Sequence, residues 1–212
     1  MEQDRYFTEG YHIDRYHILE KDLLEFLYYI PLDFYPTADA RSHVTSPYLA
    51  DMLIRIGSAI DIFFRNFIMK YPDIKEKSGI RVKFENDLNW NSYKALEPEI
   101  QLSQTNVGIN HIIYGASLEP FWGEGKSSSR VKWNDEDLNR DKFWWDCYNK
   151  VKHNGQFEKA NLENVMQALG AYIILISYQP HKKLQLYKYI NIREKDPCRW
   201  MGPSIEDSYK PA

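Results

Sequence analysis

The chain has 212 residues, and its 27 Lys and Arg against 30 Asp and Glu give a formal net charge of −3. This length suits one domain with a tail and is ample for a hydrophobic core. The charge excludes a protein that binds nucleic acid through bulk positive charge. The longest apolar run, Ala171 to Ile176, is too short to span a bilayer, so no membrane partner is expected.

The cysteines and histidines give no sign of a metal site. Cys147 and Cys198 lie far apart in the sequence and form neither a metal-binding nor a disulfide pattern. His12 and His17 are expected on the polar surface of a helix, without partners nearby. The N-terminal residues are polar and unlike a signal peptide. We therefore expect a cytoplasmic protein in a reducing setting, with no metal and no cofactor.

Two helices are predicted in the first third of the chain. Apolar residues follow the 3.6-residue period over 11–30, and Pro31 ends that segment. A second helix is predicted over 46–70, with Ser46 as its N-cap and Pro47 at its first helical position. Its apolar stripe is wide, which indicates a central helix.

The segment 73–132 interrupts the helical pattern and is treated as an insert. Within it, Asn91 to Glu97 is predicted to be a short helix. Residues 99–103 and 111–114 are predicted to be extended, which favours a small β element between 99 and 122. The composition of 122–129 indicates a flexible loop.

Two further helices are predicted after the insert. Polar residues precede 135–154 and Asn154-Gly155 follows it, as at the two ends of a helix. The second of these helices is predicted over 161–179. The expected organisation is a mainly α domain over 1–192 with four main helices, followed by a C-terminal tail over 193–212.

The third main helix carries the candidate site. Trp145, Asn149 and His153 stand at i, i+4 and i+8, so they share one face. A neighbouring face is more apolar and consists of Trp144, Tyr148 and Val151. Lys150 and Lys152 lie beside the amide and the imidazole. The pattern therefore predicts one side made for a core and an adjoining polar, basic side.

The same helix carries a resemblance to a known family. The run Trp144-Trp-Asp-Cys-Tyr-Asn-Lys-Val-Lys-His153, followed by Ala160-Asn-Leu-Glu-Asn-Val-Met-Gln-Ala-Leu169, resembles a bacterial HEPN-like family. The resemblance is specific over about 120–178 and looser over the helix from Ser46. It implies an up-down four-helix bundle, here with a small β insert between the second and third main helices, that forms a homodimer.

The resemblance also implies a function. Many HEPN domains are metal-independent endoribonucleases of toxin–antitoxin and phage-defence systems, so RNA and an antitoxin-like protein are the implied partners. The family motif is an arginine, often followed by a polar residue, and then a histidine. Asn149 matches the polar residue and His153 the histidine, whereas Tyr148 stands in place of the arginine that binds the scissile phosphate.

These residues fit the chemistry of RNA cleavage. A histidine near neutral pKa can take a proton from the 2′-hydroxyl or give one to the 5′-oxygen, so His153 and Asn149 are the candidate catalytic residues. A cation must stabilise the charge that develops on the phosphate. Lys150 or Lys152 can supply it, and together with Tyr148 they form the candidate substrate-binding set.

Each of these residues also has a structural interpretation, which the sequence leaves open. His153 can simply complement the helix dipole at a C-terminus, and Asn149 can bond a neighbouring helix. The two tryptophans can be core residues or contacts of a dimer interface. Lys150 can pair with Asp146 on a solvated face. The alternative function is therefore a catalytically inactive HEPN-like module that dimerises or binds a partner.

Overall fold

The structure, a computed structural model, describes residues 9–108 and 117–178. The predicted extended segment 111–114 and the predicted tail 193–212 lie outside these ranges. Within them the chain is mainly helical. The α-helices in chain order are α1 (Glu9–Tyr29), α2 (Ala38–Ser42), α3 (Pro47–Lys70), α4 (Pro72–Lys77), α5 (Trp90–Lys94), α6 (Glu97–Ile100), α7 (Trp144–Asn154) and α8 (Leu162–Ser177).

The two most buried helices, α3 and α8, run side by side in the same direction. At their beginnings, the Leu162 amide donates to the Val44 carbonyl at 2.9 Å. At their ends, the rings of Phe67 and Tyr178 lie 5.6 Å apart. Most of the inward side chains of both helices are apolar and fully buried, so this pair forms the centre of the core.

Helices α1 and α7 pack against α3 in the opposite direction. Asp22 of α1 pairs with Arg55 at 2.7 Å, whereas His12, earlier in α1, lies 5.3 Å from Phe63, later in α3. In α7, Tyr148 packs on Gly57 of α3. Trp145, which precedes Tyr148, contacts Tyr93, and Tyr93 stacks on Phe64 further along α3, so α7 also runs against α3.

Three of the four main helices begin and end close to their predicted bounds, but the prediction for 135–154 is wrong in its first half. The helix begins at Trp144, and the residues before it form turns. Asp135 accepts a hydrogen bond from the Asp137 amide at 2.8 Å, and Asn139 accepts one from the Asp141 amide at 3.2 Å. Such local side-chain bonds compete with helix formation.

The insert contains two small antiparallel ladders. β1 (Val107–Gly108) pairs with β2 (Ser117–Leu118), and β3 (Trp122–Glu124) pairs with β4 (Arg130–Lys132). The predicted β element between 99 and 122 is thus confirmed in part. The prediction of a flexible loop over 122–129 is wrong, because β3 and the turn to β4 occupy these residues.

The predicted extended segment 99–103 is also wrong. Helix α6 continues to Ile100, and a 3-10 turn follows over Leu102–Gln104. The Glu97 carboxylate explains this compact path, because it accepts bonds from the Ser103 amide at 3.0 Å and from the Trp133 indole at 2.6 Å. A buried carboxylate with several donors holds α6 against the second ladder.

His12 departs from its predicted position on a polar surface. It is only 3% exposed, and its Nδ1 lies 2.8 Å from the Tyr172 hydroxyl in α8. The expectation fails because α1 buries a wider face than its apolar residues alone indicate. Among the described residues, no helix combines the length and the apolar character that crossing a membrane requires.

Candidate functional site

The first half of α7 is covered by the insert of its own chain. Trp145 is 3% exposed and stacks on Trp90 of α5, with the ring centroids 4.8 Å apart. Trp144 is also buried, and its indole donates to the Pro120 carbonyl at 2.7 Å. Both side chains are therefore core residues, and they have little surface left for the dimer contact that the sequence also predicts.

Tyr148, which the resemblance aligns with the motif arginine, packs closely against α3. Its ring packs on Gly57, where an added Cβ would lie 2.5 Å from the Tyr148 Cγ. Its hydroxyl lies 3.4 Å from the Ser58 hydroxyl and accepts a hydrogen bond from the Lys152 ammonium at 2.8 Å. The buried ring thus holds a cation at its polar end.

The two candidate lysines have different surroundings. Lys150 pairs with Asp141, and its hydrogen bond lowers the pKa of that carboxyl group. The predicted pairing of Lys150 with Asp146 is wrong, because Asp146 is bound by Arg140 at 2.5 Å. Lys152 contacts no carboxylate of the described residues. It is therefore the lysine whose charge is available beside the motif position.

The other two motif residues lie on the same helix without contacting each other through a hydrogen bond. Asn149 donates to the Trp145 carbonyl of its own helix at 3.0 Å, so the interpretation as a bond to a neighbouring helix is not what the structure shows. His153 is exposed in the last turn of α7. Gly155, with a φ of 65°, ends the helix just beyond it.

A second polar cluster lies next to Tyr148, between α3 and the insert. The Tyr93 hydroxyl donates to Asp61 at 2.5 Å, and Arg65 donates to the same carboxylate at 2.9 Å and to the Glu85 carbonyl at 2.8 Å. Burial, together with Asp61, raises the pKa of Tyr93 far above its usual value. These groups already bond to one another and anchor the insert on α3, so they are not candidates for substrate contacts.

A groove lies along the first half of α3. Its volume is about 640 Å³, and α3 faces the turn after α7 across it. The lining residues are Thr45, Ser46, Pro47, Ala50, Asp51, Ile54, Phe157 and Glu158. Phe157 is 59% exposed. The sequence analysis did not predict this groove or the role of Ser58. A phenylalanine just after the Asn-Gly pair that ends a helix was the one signal in the sequence that pointed to it.

Within the parts of the chain that the structure describes, no three His, Cys, Asp or Glu side chains are placed to hold a metal ion together. The candidate site is thus an ammonium, a buried phenol, a hydroxyl and an exposed imidazole on two packed helices.

Comparisons with protein-family models, curated proteins and solved structures find no match to this chain.

Proposed function

We propose that this chain is a HEPN-like RNA-associated protein, and that it acts as a metal-independent endoribonuclease in a toxin or phage-defence context. In this proposal α1, α3, α7 and α8 are the up-down four-helix bundle, and two copies form a homodimer. The observation that carries the proposal is the Lys152 ammonium, held 2.8 Å from the Tyr148 hydroxyl and followed directly by the exposed His153.

Lys152 supplies the charge that the motif lacks at Tyr148. Its ammonium lies beyond the Tyr148 hydroxyl, 5.2 Å from the centroid of the ring. A phosphate oxygen can bind this ammonium without breaking an ion pair to a described carboxylate. Unlike an arginine, lysine binds phosphate as a point charge rather than as a fork, which predicts weaker orientation of the scissile group.

The proposed reaction is an internal transfer within the RNA. The 2′-oxygen forms a bond to phosphorus while the bond from phosphorus to the 5′-oxygen breaks. A base takes the 2′ proton and an acid gives a proton to the 5′-oxygen, so the products are a 2′,3′-cyclic phosphate and a 5′-hydroxyl. His153 serves as one of the two groups. In the proposed homodimer, a second copy of His153 serves as the other.

The two lysines provide the test. Lys152→Ala should lower the cleavage of RNA by about a hundredfold, because it removes the cation that stabilises the transition state. Lys150→Ala is the matched control on the same helix and should change the rate by less than about threefold, since Lys150 is paired with Asp141. Cleavage is measured in EDTA, and the RNA ends are identified by mass. Equal effects of the two variants would contradict the proposal.

The second candidate function is the catalytically inactive module that dimerises or binds an antitoxin-like protein. The burial of Tyr148, 2% exposed, favours it, because a packed ring occupies the place of the phosphate-binding arginine. Light scattering and RNA cleavage separate the two functions. A mass above the 25.3 kDa of one chain, without cleavage of any RNA by purified protein, supports the module and sinks the enzyme.

A further inference from the structure

We propose that the groove along the first half of α3 is a nucleobase subsite, and that it takes guanine from the RNA whose phosphate lies at Lys152. This inference rests on the proposed function, because it names the base that the same site binds. A stacked base needs an exposed aromatic surface, and the recognition of its edge needs a carboxylate. Phe157 and Glu158 provide these two groups on one turn.

The groove lies next to the proposed phosphate site along α3. Ile54 lines the groove, and Ser58 lies on the same face of α3 one turn further, a rise of about 6 Å. The Ser58 hydroxyl lies 3.4 Å from the Tyr148 hydroxyl, which in turn lies 2.8 Å from the Lys152 ammonium. A nucleotide with its phosphate at Lys152 therefore has the groove within reach of its base.

The walls of the groove favour a flat aromatic ring. Pro47, Ala50 and Ile54 give it an apolar side on α3, and Phe157 stands across from them with 59% of its surface exposed. A volume of about 640 Å³ falls within the range of small-molecule sites. Stacking on an aromatic side chain is available to every base, so Phe157 contributes affinity rather than choice of base.

The charges of the groove place the base, and not the phosphate, inside it. Its lining contains no lysine or arginine and two carboxylates, which repel a phosphate. Asp51 is engaged by Arg55 at 3.6 Å, whereas Glu158 is exposed and forms no ion pair within 9–108 and 117–178. A carboxylate only accepts hydrogen bonds. Guanine presents two adjacent donors, N1–H and the 2-amino group, and therefore fits Glu158 best.

Phe157 is tested with short RNAs that differ at one base. Binding of labelled UUGUU, UUAUU and UUUUU is measured by fluorescence anisotropy, with 2′-O-methyl riboses that block cleavage because the attacking 2′-hydroxyl is absent. Phe157→Ala should weaken the binding of all three RNAs, and that of UUGUU by about tenfold, because stacking is lost. Phe84→Ala is the matched control, since Phe84 is 70% exposed and lies in the insert; it should change binding by less than about twofold.

Glu158 is tested by removing one donor from the base. UUIUU contains inosine, which lacks only the 2-amino group of guanosine. The wild-type protein should prefer UUGUU to UUIUU by about tenfold, and Glu158→Gln should lose most of this preference. Glu76→Gln, a change at an exposed glutamate of α4, should keep it.

The outcomes separate this inference from the function on which it rests. If Lys152→Ala weakens all RNAs while Phe157→Ala and Glu158→Gln have no effect, the groove is not a base subsite and the inference falls alone. If the wild-type protein binds no RNA, both fall. If Phe157→Ala lowers the mass in light scattering but leaves RNA binding unchanged, the groove is a contact between two copies, which also overturns the inference.

Discussion

The two halves of α7 have opposite surroundings. Trp144 and Trp145, at its beginning, are 2% and 3% exposed beneath the insert. Lys152 and His153, at its end, face solvent. The helix therefore changes from core to surface along its axis, and not only around it. One element thus secures the insert on α3 with its first half and offers charged groups with its second.

This change along the axis explains why a helical-wheel argument was only partly right. Trp145, Asn149 and His153 do share one face, as their spacing predicts. The insert covers only the start of that face, so the first of the three is buried, the second half-buried and the third exposed. The spacing of residues reports direction around a helix, whereas burial also depends on how far the neighbouring segment extends.

The largest effect is expected at the covered end of α7. Trp145→Ala should lower the free energy of unfolding by about 3–5 kcal/mol, because it leaves a cavity beside Trp90 and Tyr93. Urea denaturation followed by circular dichroism measures the change. A loss below about 1 kcal/mol would show that the insert does not depend on this ring. It would contradict the contrast between the covered and the exposed half of α7.

The next effect lies at the middle of α7, where it meets α3. Gly57→Ala should cost about 1–3 kcal/mol, because the new Cβ would lie 2.5 Å from the Tyr148 Cγ. In a Tyr148→Leu background the same change should cost less or even stabilise, since alanine favours a helix over glycine by about 1 kcal/mol. An equal cost in both backgrounds would contradict the close contact.

Much of the helical framework follows from the sequence. Ser46 and Pro47 marked the beginning of α3, and the Ser46 hydroxyl accepts from the Leu49 amide at 3.1 Å, as an N-cap does. Asn161 marked the beginning of α8 in the same way. These capping signals are local, so they do not depend on how the rest of the chain packs. The burial of Cys147 follows from its place on a largely buried helix.

The insert and the candidate site depend on contacts between residues far apart in the chain, which a single sequence does not reveal. Glu97 and Trp133 meet across 36 positions, and Ser58 and Tyr148 across 90. Lys152 was one of two equivalent lysines until the partner of Lys150 was known. Phe157 lies shortly after the motif residues in the sequence. Only the position of α3 in the structure shows that it forms a wall of the groove.

A smaller effect concerns Cys147, in the covered half of α7. Burial raises the pKa of this thiol to about 11 from 9.0. Between these values the unfolded chain loses the proton first, so the unfolded state binds fewer protons and stability falls as pH rises. From pH 8 to pH 10 this thiol should account for about 1 kcal/mol of the loss.

The measurement compares urea unfolding of the wild-type protein and of Cys147→Ala at the two pH values. The variant should lose less stability between pH 8 and pH 10. Tyr93 and Tyr172, whose pKa values are also raised by burial, are present in both proteins, so their contribution cancels. Equal losses in the two proteins would mean that the thiol ionises as freely in the folded chain as in the unfolded one.

The smallest effect on stability is expected at the exposed end of α7, and there it separates structure from function. His153→Ala removes an exposed side chain in the last helical turn, so the free energy of unfolding should change by no more than about 0.5 kcal/mol. In the proposed reaction it removes a proton-transfer group, so RNA cleavage should fall by about a hundredfold or more. Trp145→Ala should show the reverse order, with a large loss of stability. If His153→Ala instead destabilises the fold as strongly as Trp145→Ala, the histidine belongs to the packing of the helix, and the contrast between the two halves of α7 does not hold.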